Sequence, residues 1–486
     1  MVTAAAAAGH IPAASPFCTV FMKFHKYKLF AIGFLLFPGN SSTSRAVETV
    51  AGAQIISLEH AYDRALASDQ SIRRAYWEIR KANLEPLSAL TRLGPSITGS
   101  SNLARSDQAT RTRTTQTVDQ PVTIGVTGSN SVETTTRTQT RNDTGAIGIT
   151  YEQTILDLTA IPAFRLGKLT AQAARLTYRE TIREVLFSLA DAYYEVLKQQ
   201  RIVLVSRETV ALAQQQLELA QTRAGAGEVL PSDVLSARVT VESGRRTLIE
   251  AENSLASDRN KLANILNLPT EAPLGVVEPP PFSPSLPSYE ALFARALERR
   301  EDLRVKALAI DQDVQRRAGV IAEYAPKVVV DVNADAHRSD GSSRSRSESW
   351  DATISVQVPF FTGGQREIDL AQKGHQIRQT RLDYETAVKN MQQDVKDAWL
   401  QVRTLEATLK TVRIEVESGQ EAYEELRAQY QAGTATSVDV LNALNNLNIA
   451  RRDLATQTYD YQVALRKVEL VTGAFQEERV QKLKFK

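Results

Sequence analysis

Ile182-Arg183-Glu184-Val185-Leu186-Phe187-Ser188-Leu189 opens a stretch, running to Leu217, in which Ile182, Leu189, Val196, Val203, Val210 and Leu217 stand seven residues apart without a slip. Val185, Ala192, Ala213 and Ala220 follow at plus three, with Gln199 and Ser206 interrupting this second line. Seven residues fall short of two natural helical turns, so a strict heptad predicts a long helix wound left-handed about a neighbour. The pattern returns 206 residues later as Val388, Val395, Val402, Leu409, Val416 and Tyr423. No proline lies between Arg165 and Ala224, or between Arg366 and Tyr430. Alone, such a stretch fits an ordinary coiled-coil dimer or a long core helix; the rest of the chain decides otherwise.

The chain has 486 residues with 58 basic and 56 acidic side chains, and a net charge of +2 gives no electrostatic reason to expect nucleic acid as a partner. Aromatic residues are 6%, low for a globular enzyme of this length, and the 42% hydrophobic content is spread as stripes. The one cysteine, Cys18, excludes an intrachain disulfide and a cysteine metal site. His10, His25, His60, His337 and His375 form no pair at ligand spacing, so no metal and no cofactor is expected. Residues 23–37 read as a signal peptide: Lys23, Lys26 and Lys28 precede the apolar run Leu29 to Phe37, and Ala51-Gly52-Ala53 offers a cleavage site before Gln54. That run is too short to span a bilayer, and no later stretch is apolar enough for a transmembrane helix.

The remainder divides into two similar halves. After a leader at 1–53, a first repeat covers 54–268 and a second 288–473; a proline-rich linker at 269–287 joins them, and a charged tail, expected to be poorly ordered, covers 474–486. Each repeat starts with a helix, about 57–92 and about 288–324, capped by Ser57 and Ser288. These align without a gap at an offset of 231. The heptad helices follow, about 164–226 and about 365–432, each ending at a glycine turn, Ala226-Gly227 and Ala432-Gly433. Shorter helices come next, about 231–267 and 437–472. At about 1.5 Å per residue a short helix reaches only about half the height of a long one, so stacking it on the opening helix makes a column of matching height.

Between the opening and the long helices lie hairpins, at 96–153 and 327–358. In the second, Val328, Val330, Val332, Ala334 and Ala336 alternate with Val329, Asp331, Asn333 and Asp335, and Trp350, Ala352, Ile354, Val356 and Val358 alternate with Asp351, Thr353, Ser355 and Gln357. Two strands of nine residues with one apolar face have the length of membrane-spanning strands. The first hairpin is a fainter version, Ser96 to Ala104 and Gly145 to Gln153, and the Thr/Arg/Ser-rich segment between them, 105–144, reads as a solvated loop. Asp331, Asp335 and Asp351 fall on the polar face, which would line a lumen. Four strands cannot close a barrel, so chains must pool them. Two copies would supply a bare eight strands and three would supply twelve.

These features resemble the TolC family of outer-membrane factors, from Leu58 to about Gly473 and in both repeats. The resemblance rests on Leu58 to Pro95 with its echo Tyr289 to Pro326, on Val356-Gln357-Val358-Pro359-Phe360-Phe361-Thr362-Gly363-Gly364, and on Tyr430-Gln431-Ala432-Gly433-Thr434-Ala435-Thr436-Ser437-Val438-Asp439-Val440-Leu441. It implies a homotrimer whose twelve strands form one β-barrel in the outer membrane of a Gram-negative bacterium. Twelve helical columns would continue it as an α-barrel through the periplasm. It also implies a periplasmic adaptor protein and an inner-membrane pump of the RND or ABC type as partners. By the same resemblance the glycine turns are the periplasmic tip, where Gly227, Gly433 and Thr434 meet the adaptor. Asp439 matches the family's gate aspartate, Tyr430 a tyrosine of its latch and Asp233 that tyrosine's partner. A second gate aspartate is here Asn442, and a latch arginine is here Ala435. A plainer role for Asp233 and Asp439 is helix capping.

No catalytic constellation is present, and Gly363-Gly364 is a strand-to-helix turn rather than a phosphate loop. The chain reads as a passive exit duct for efflux or type I secretion, not an enzyme; the alternative is a periplasmic coiled-coil scaffold or adhesin without a pore.

Overall fold

The two heptad stretches each become one unbroken helix. The structure, a computed structural model, describes residues 49–50, 53–118, 130–269, 274–282, 284–340 and 344–482. The signal segment at 23–37 and Cys18 lie outside the described residues. In chain order the elements are β1 (Thr49–Val50), β2 (Ala53–Ile56), α1 (Leu58–Ser68), α2 (Gln70–Ala82), α3 (Glu85–Thr91), β3 (Pro95–Val118), β4 (Asn130–Leu156), α4 (Ala160–Gly225), α5 (Pro231–Ile265), β5 (Leu274–Val276), α6 (Tyr289–Arg299), α7 (Glu301–Ala322), β6 (Lys327–Asp340), β7 (Arg344–Gln357), α8 (Gln365–Gln431), α9 (Ser437–Val471) and α10 (Glu477–Lys482). Helices α4 and α8, of 66 and 67 residues, are each about 100 Å long. No helix among the described residues is long and apolar enough to cross a membrane.

The opening helices are broken where continuous ones were expected. The first breaks at Asp69, whose side chain leaves the α1 register to accept the Ser71 and Ile72 N–H groups at 2.8 and 3.0 Å and so caps α2. It breaks again before α3, which starts with Pro86 in its first turn. The second breaks at Arg300, in extended backbone, 231 residues after Asp69. The break thus falls at equivalent positions of the repeat.

Packing places the helices in four columns. α4 packs on α1, α2, α3 and α5 along one side and on α7 and α9 along the other, while α8 packs on α6, α7 and α9. The order is therefore α1–α3 with α5, then α4, then α6–α7 with α9, then α8. Gly167 permits part of this: a Cβ there would stand 2.6 Å from the Pro86 backbone nitrogen, so only glycine lets α3 lie this close to α4. Ile182, Leu189 and Val196 are fully buried, and Val395 and Val402 nearly so. α4 has neighbours on both sides and α8 on one. Accordingly Leu382 and Ile414 of α8 are more than 60% exposed.

The strands form one antiparallel sheet in the order β3-β4-β6-β7. They are longer than expected. Residues 105–118 pair residue for residue with 130–143, so most of the segment read as a loop is strand, and β6 and β7 have 14 residues each rather than nine. Its threonines favour extended backbone, but with polar residues on both faces the segment shows no hydrophobic alternation.

Two further differences concern the ends. β2 pairs in parallel with β5 of the linker, and the Tyr193 hydroxyl of α4 lies 2.6 Å from the Val277 carbonyl oxygen and accepts the Val277 N–H at 3.0 Å. The tail, expected to be poorly ordered, is docked: Phe475 is fully buried edge-on to Tyr62 and Phe187, and Arg479 pairs with Glu59 and Asp63.

Candidate functional site

At the foot of the long helices the two repeats build the same turn. Gly227 and Gly433 adopt φ of +77° and +79°, a region that strains any residue with a Cβ. The Glu228 N–H then reaches the Arg223 carbonyl at 2.9 Å, and the Thr434 N–H reaches that of Gln429 at 2.9 Å. These bonds satisfy carbonyls that the helix ends leave open. Gly227, Gly433 and Thr434 are all exposed at the turns.

The helices that leave these turns start differently. α9 has a capping box: the Asp439 N–H bonds the Thr436 hydroxyl oxygen at 3.3 Å, and the Thr436 N–H donates to the Asp439 carboxylate at 3.0 Å. The Thr436 hydroxyl also reaches that carboxylate at 2.6 Å, and these two bonds hold the Asp439 carboxyl below the usual carboxylate range. α5 instead starts with Pro231 and has no side-chain cap, so Asp233 at the matching position is not engaged as a cap. Asn442 stands one turn after Asp439, and both are exposed.

Tyr430 is 1% exposed, and its hydroxyl has no partner among the described residues. It is therefore not joined to Asp233 within one chain. Its neighbour is Arg223, a residue the sequence did not single out. The Arg223 guanidinium lies 4.8 Å from the centre of the Tyr430 ring, donates to the Tyr430 carbonyl oxygen and pairs through Nε with Glu228 at 2.8 Å. One side chain of the first repeat thus holds the last turn of α8 in the second. The signal was a basic residue in the last turn of α4, where it also meets the negative end of the helix dipole.

At the other end the register sorts the strand residues by face. Asp331, Asn333 and Asp335 of β6 stand opposite Thr353, Asp351 and Ser349 of β7, and opposite Glu152, Thr150 and Gly148 of β4. Asp331, Asp335 and Asp351 therefore share one polar face with Glu152, which the sequence reading had passed over. Gly148 leaves room for the Asp335 carboxylate, which occupies the space a Cβ at 148 would take. The opposite face carries Ile97, Ile147, Ile149, Val330, Val332, Trp350 and Ile354. Ile97, Trp350 and Ile354 are more than 70% exposed, too much apolar surface for water. Among the described residues no group of three or more His, Cys, Asp or Glu could hold a metal ion.

Comparison with known proteins agrees with this two-part plan. The family model described as outer membrane efflux protein matches residues 61–268 and 292–474. The outer membrane protein TolC of Vibrio cholerae is 25% identical over 366 residues, covering 74% of this chain and 83% of that protein. The alkaline protease secretion protein AprF of Pseudomonas aeruginosa is 23% identical, covering 68% and 69%. Among solved structures, the Campylobacter jejuni CmeC outer membrane channel superposes with a TM-score of 0.69 at 15% identity, covering 87% of this chain and 88% of that one. CusC superposes with a TM-score of 0.68 at 18% identity, covering 86% and 92%. These relatives are channel proteins rather than enzymes. With both repeats matched, the chain belongs to the outer membrane efflux protein family and is an exit duct of the outer membrane.

Proposed function

We propose that three copies of this chain close into one passive duct, twelve strands forming a barrel in the outer membrane and twelve helical columns a tunnel below it. The observation that carries this reading is that sheet and helices end on matching edges. β3 and the α1–α3/α5 column lie at one edge, and β7 and α8 lie at the other. One rotation therefore brings β7 against the next copy's β3, antiparallel, and α8 against its α5. A head-to-tail contact of this kind closes into a ring. Without it each edge strand would leave a row of unpaired N–H and C=O groups in lipid. The apolar residues on the edge helices, Leu235 and Val239 of α5 and Leu382 and Ile414 of α8, are all more than 60% exposed in the single chain and suit such a seam.

In this assembly Asp331, Asp335 and Asp351 face the lumen. Asp439, Asn442, Tyr430 and Asp233 surround the periplasmic gate, and Gly227, Gly433 and Thr434 meet a periplasmic adaptor. An inner-membrane pump supplies the energy. The test is the mass of the particle in mild detergent together with conductance in planar bilayers. A three-chain particle that forms pores is expected; a single folded chain without pore activity overturns the reading.

A further inference from the structure

The two hairpins extend past their apolar band, and the extension is sided. On the face that continues the apolar side, residues 105–116 and 133–143 of the first hairpin and 338–348 of the second carry eight arginines and five carboxylates. The face that continues the lumen side carries no Lys, Arg, Asp or Glu over the same described residues; it is a ladder of threonine, serine, glutamine and asparagine with His337 at its base. A hairpin charged only for solubility has no reason to keep one face neutral.

The arginines also sit where a strand disfavours them. Arg111 is directly opposite Arg137, and Arg338 directly opposite Arg346. Like charges facing each other across strands repel, unless an anion lies between them. Arg338 and Arg346 each have a carboxylate beside them, Asp340 and Glu348. The flanking pairs around Arg111 and Arg137 are Ala109 with Gln139 and Arg113 with Thr135, and Arg113 is taken up by Glu133. All four opposed arginines are exposed.

We propose that this face is a basic belt that binds the phosphate groups of an anionic glycolipid in the leaflet distal to the helices. The inference rests on the reading of the apolar face as lipid-facing. Guanidinium groups pair with phosphate oxygens through two parallel hydrogen bonds, and two opposed arginines can share one phosphate. Height selects the class of lipid. Arg338 and Arg346 lie in the same cross-strand row as Leu103 and Gly145, at the rim of the apolar band. Arg111 is eight residues beyond Leu103, about 27 Å along the strand and about 20 Å above the rim at a typical barrel tilt. A phospholipid headgroup layer is only about 5–7 Å thick. The lower pair stands at the height of any lipid phosphate in that leaflet, and its charge favours an anionic headgroup over a zwitterionic one, whose phosphate already has its own cation. The upper pair needs phosphates carried on a saccharide headgroup.

The experiment uses the full chain purified in detergent, with binding read as lipid retained per particle. The probes are a lipopolysaccharide with a phosphorylated core, the same lipid truncated to its phosphorylated lipid anchor, phosphatidylcholine, and inorganic phosphate as competitor. Retention of both phosphorylated lipids and not of phosphatidylcholine is expected. The double variant Arg338→Gln/Arg346→Gln should lose at least about tenfold in affinity for both. Arg111→Gln/Arg137→Gln should lose affinity for the lipid with a core only. Equal retention by wild type and both variants overturns the proposal, as does full displacement by millimolar inorganic phosphate, which would mark a free-anion site. Conductance is recorded in parallel: variants that lose lipid but still form pores leave the membrane reading standing, whereas loss of pores in wild type refutes that reading itself.

Discussion

Arg183 on α4 and Glu301 at the start of α7 form an ion pair in which both side chains are only 8% exposed. The pair joins the first repeat to the second where α7 begins, a full helix length from β6, and Arg183 Nε has no further partner among the described residues. Removing one member strands a buried charge. Glu301→Gln or Arg183→Met should therefore destabilise the particle by about 3–5 kcal/mol. Replacing both with apolar residues of similar volume should recover most of that loss. Thermal unfolding of the two single variants and the double variant checks it; equal losses in all three would mean that packing, not charge, is at stake.

Glu180 lies one helical turn before Arg183 in a charged cavity of about 320 Å³. Burial pushes its carboxyl up from the usual 4.5 to about 7, helped by Asp302 and Glu184 and opposed by Arg300 and Arg183. Asp394 and Asp397 of α8 and Lys467 of α9 line the same cavity. The folded state thus holds the proton more tightly than the unfolded chain. The stabilisation this gives is fully present below about pH 4.5 and is lost as pH rises through about 7. The melting temperature of wild type should fall over that window, and Glu180→Gln should fall less. Parallel pH profiles for the two proteins would remove Glu180 as the cause.

The long helices were legible because Ile182 to Leu217 and Val388 to Tyr423 keep one spacing over six positions. The second hairpin was legible because Val328 to Ala336 alternate cleanly. The first hairpin's extension was not, since Thr110, Thr112 and Thr114 on one face and Arg111 and Arg113 on the other are all polar and give the alternation no contrast. The break at Asp69 was hidden because a capping side chain competes with the helix at a single residue. Arg223 was missed for a different reason: its partner Tyr430 is 207 residues away, and nothing local to either residue announces the other. The tail was misread from its charge alone, because one residue, Phe475, decides its docking.

The Arg223 contact with Tyr430 predicts a looser tip when it is removed. Arg223→Ala loses a charge-assisted bond to the Tyr430 carbonyl, the pair with Glu228 and the ring contact. The local cost should be about 1–3 kcal/mol. Single-channel conductance should rise if this tip limits the flow, and Arg223→Lys should restore it only in part, because an ammonium lacks the planar fork. Unchanged conductance in both variants would separate this contact from the gate.

Asp439 serves as a cap in the single chain, so the gate role proposed for it is tested by variants that separate charge from capping. Thr436→Ala removes the hydroxyl of the capping box, should cost about 1 kcal/mol, and leaves the charge in place. Asp439→Asn keeps an acceptor and removes the charge. If the carboxylates form an anionic constriction, Asp439→Asn should weaken block by multivalent cations while Thr436→Ala should not. Equal effects on block would assign Asp439 to capping alone. Because its carboxyl is held low, the box persists above the ordinary carboxylate range and is lost only as pH falls through the lowered value.

Ion selectivity follows from which face each charge occupies. The polar face of the sheet carries Glu152, Asp331, Asp335 and Asp351, and among the described residues of that face Lys327, at the base of β6, is the one lysine or arginine. The arginines of both extensions could have offset these carboxylates, but the register puts them on the opposite face of the sheet, which the proposed barrel turns away from its lumen. Conductance in planar bilayers should therefore favour cations, and repeating the row three times would amplify the preference. Asp331→Asn combined with Asp335→Asn should move the reversal potential toward zero, whereas Arg111→Gln with Arg137→Gln should leave it unchanged. Anion selectivity in wild type, or a shift in the arginine variant as large as in the aspartate variant, would mean that the faces are assigned the wrong way round.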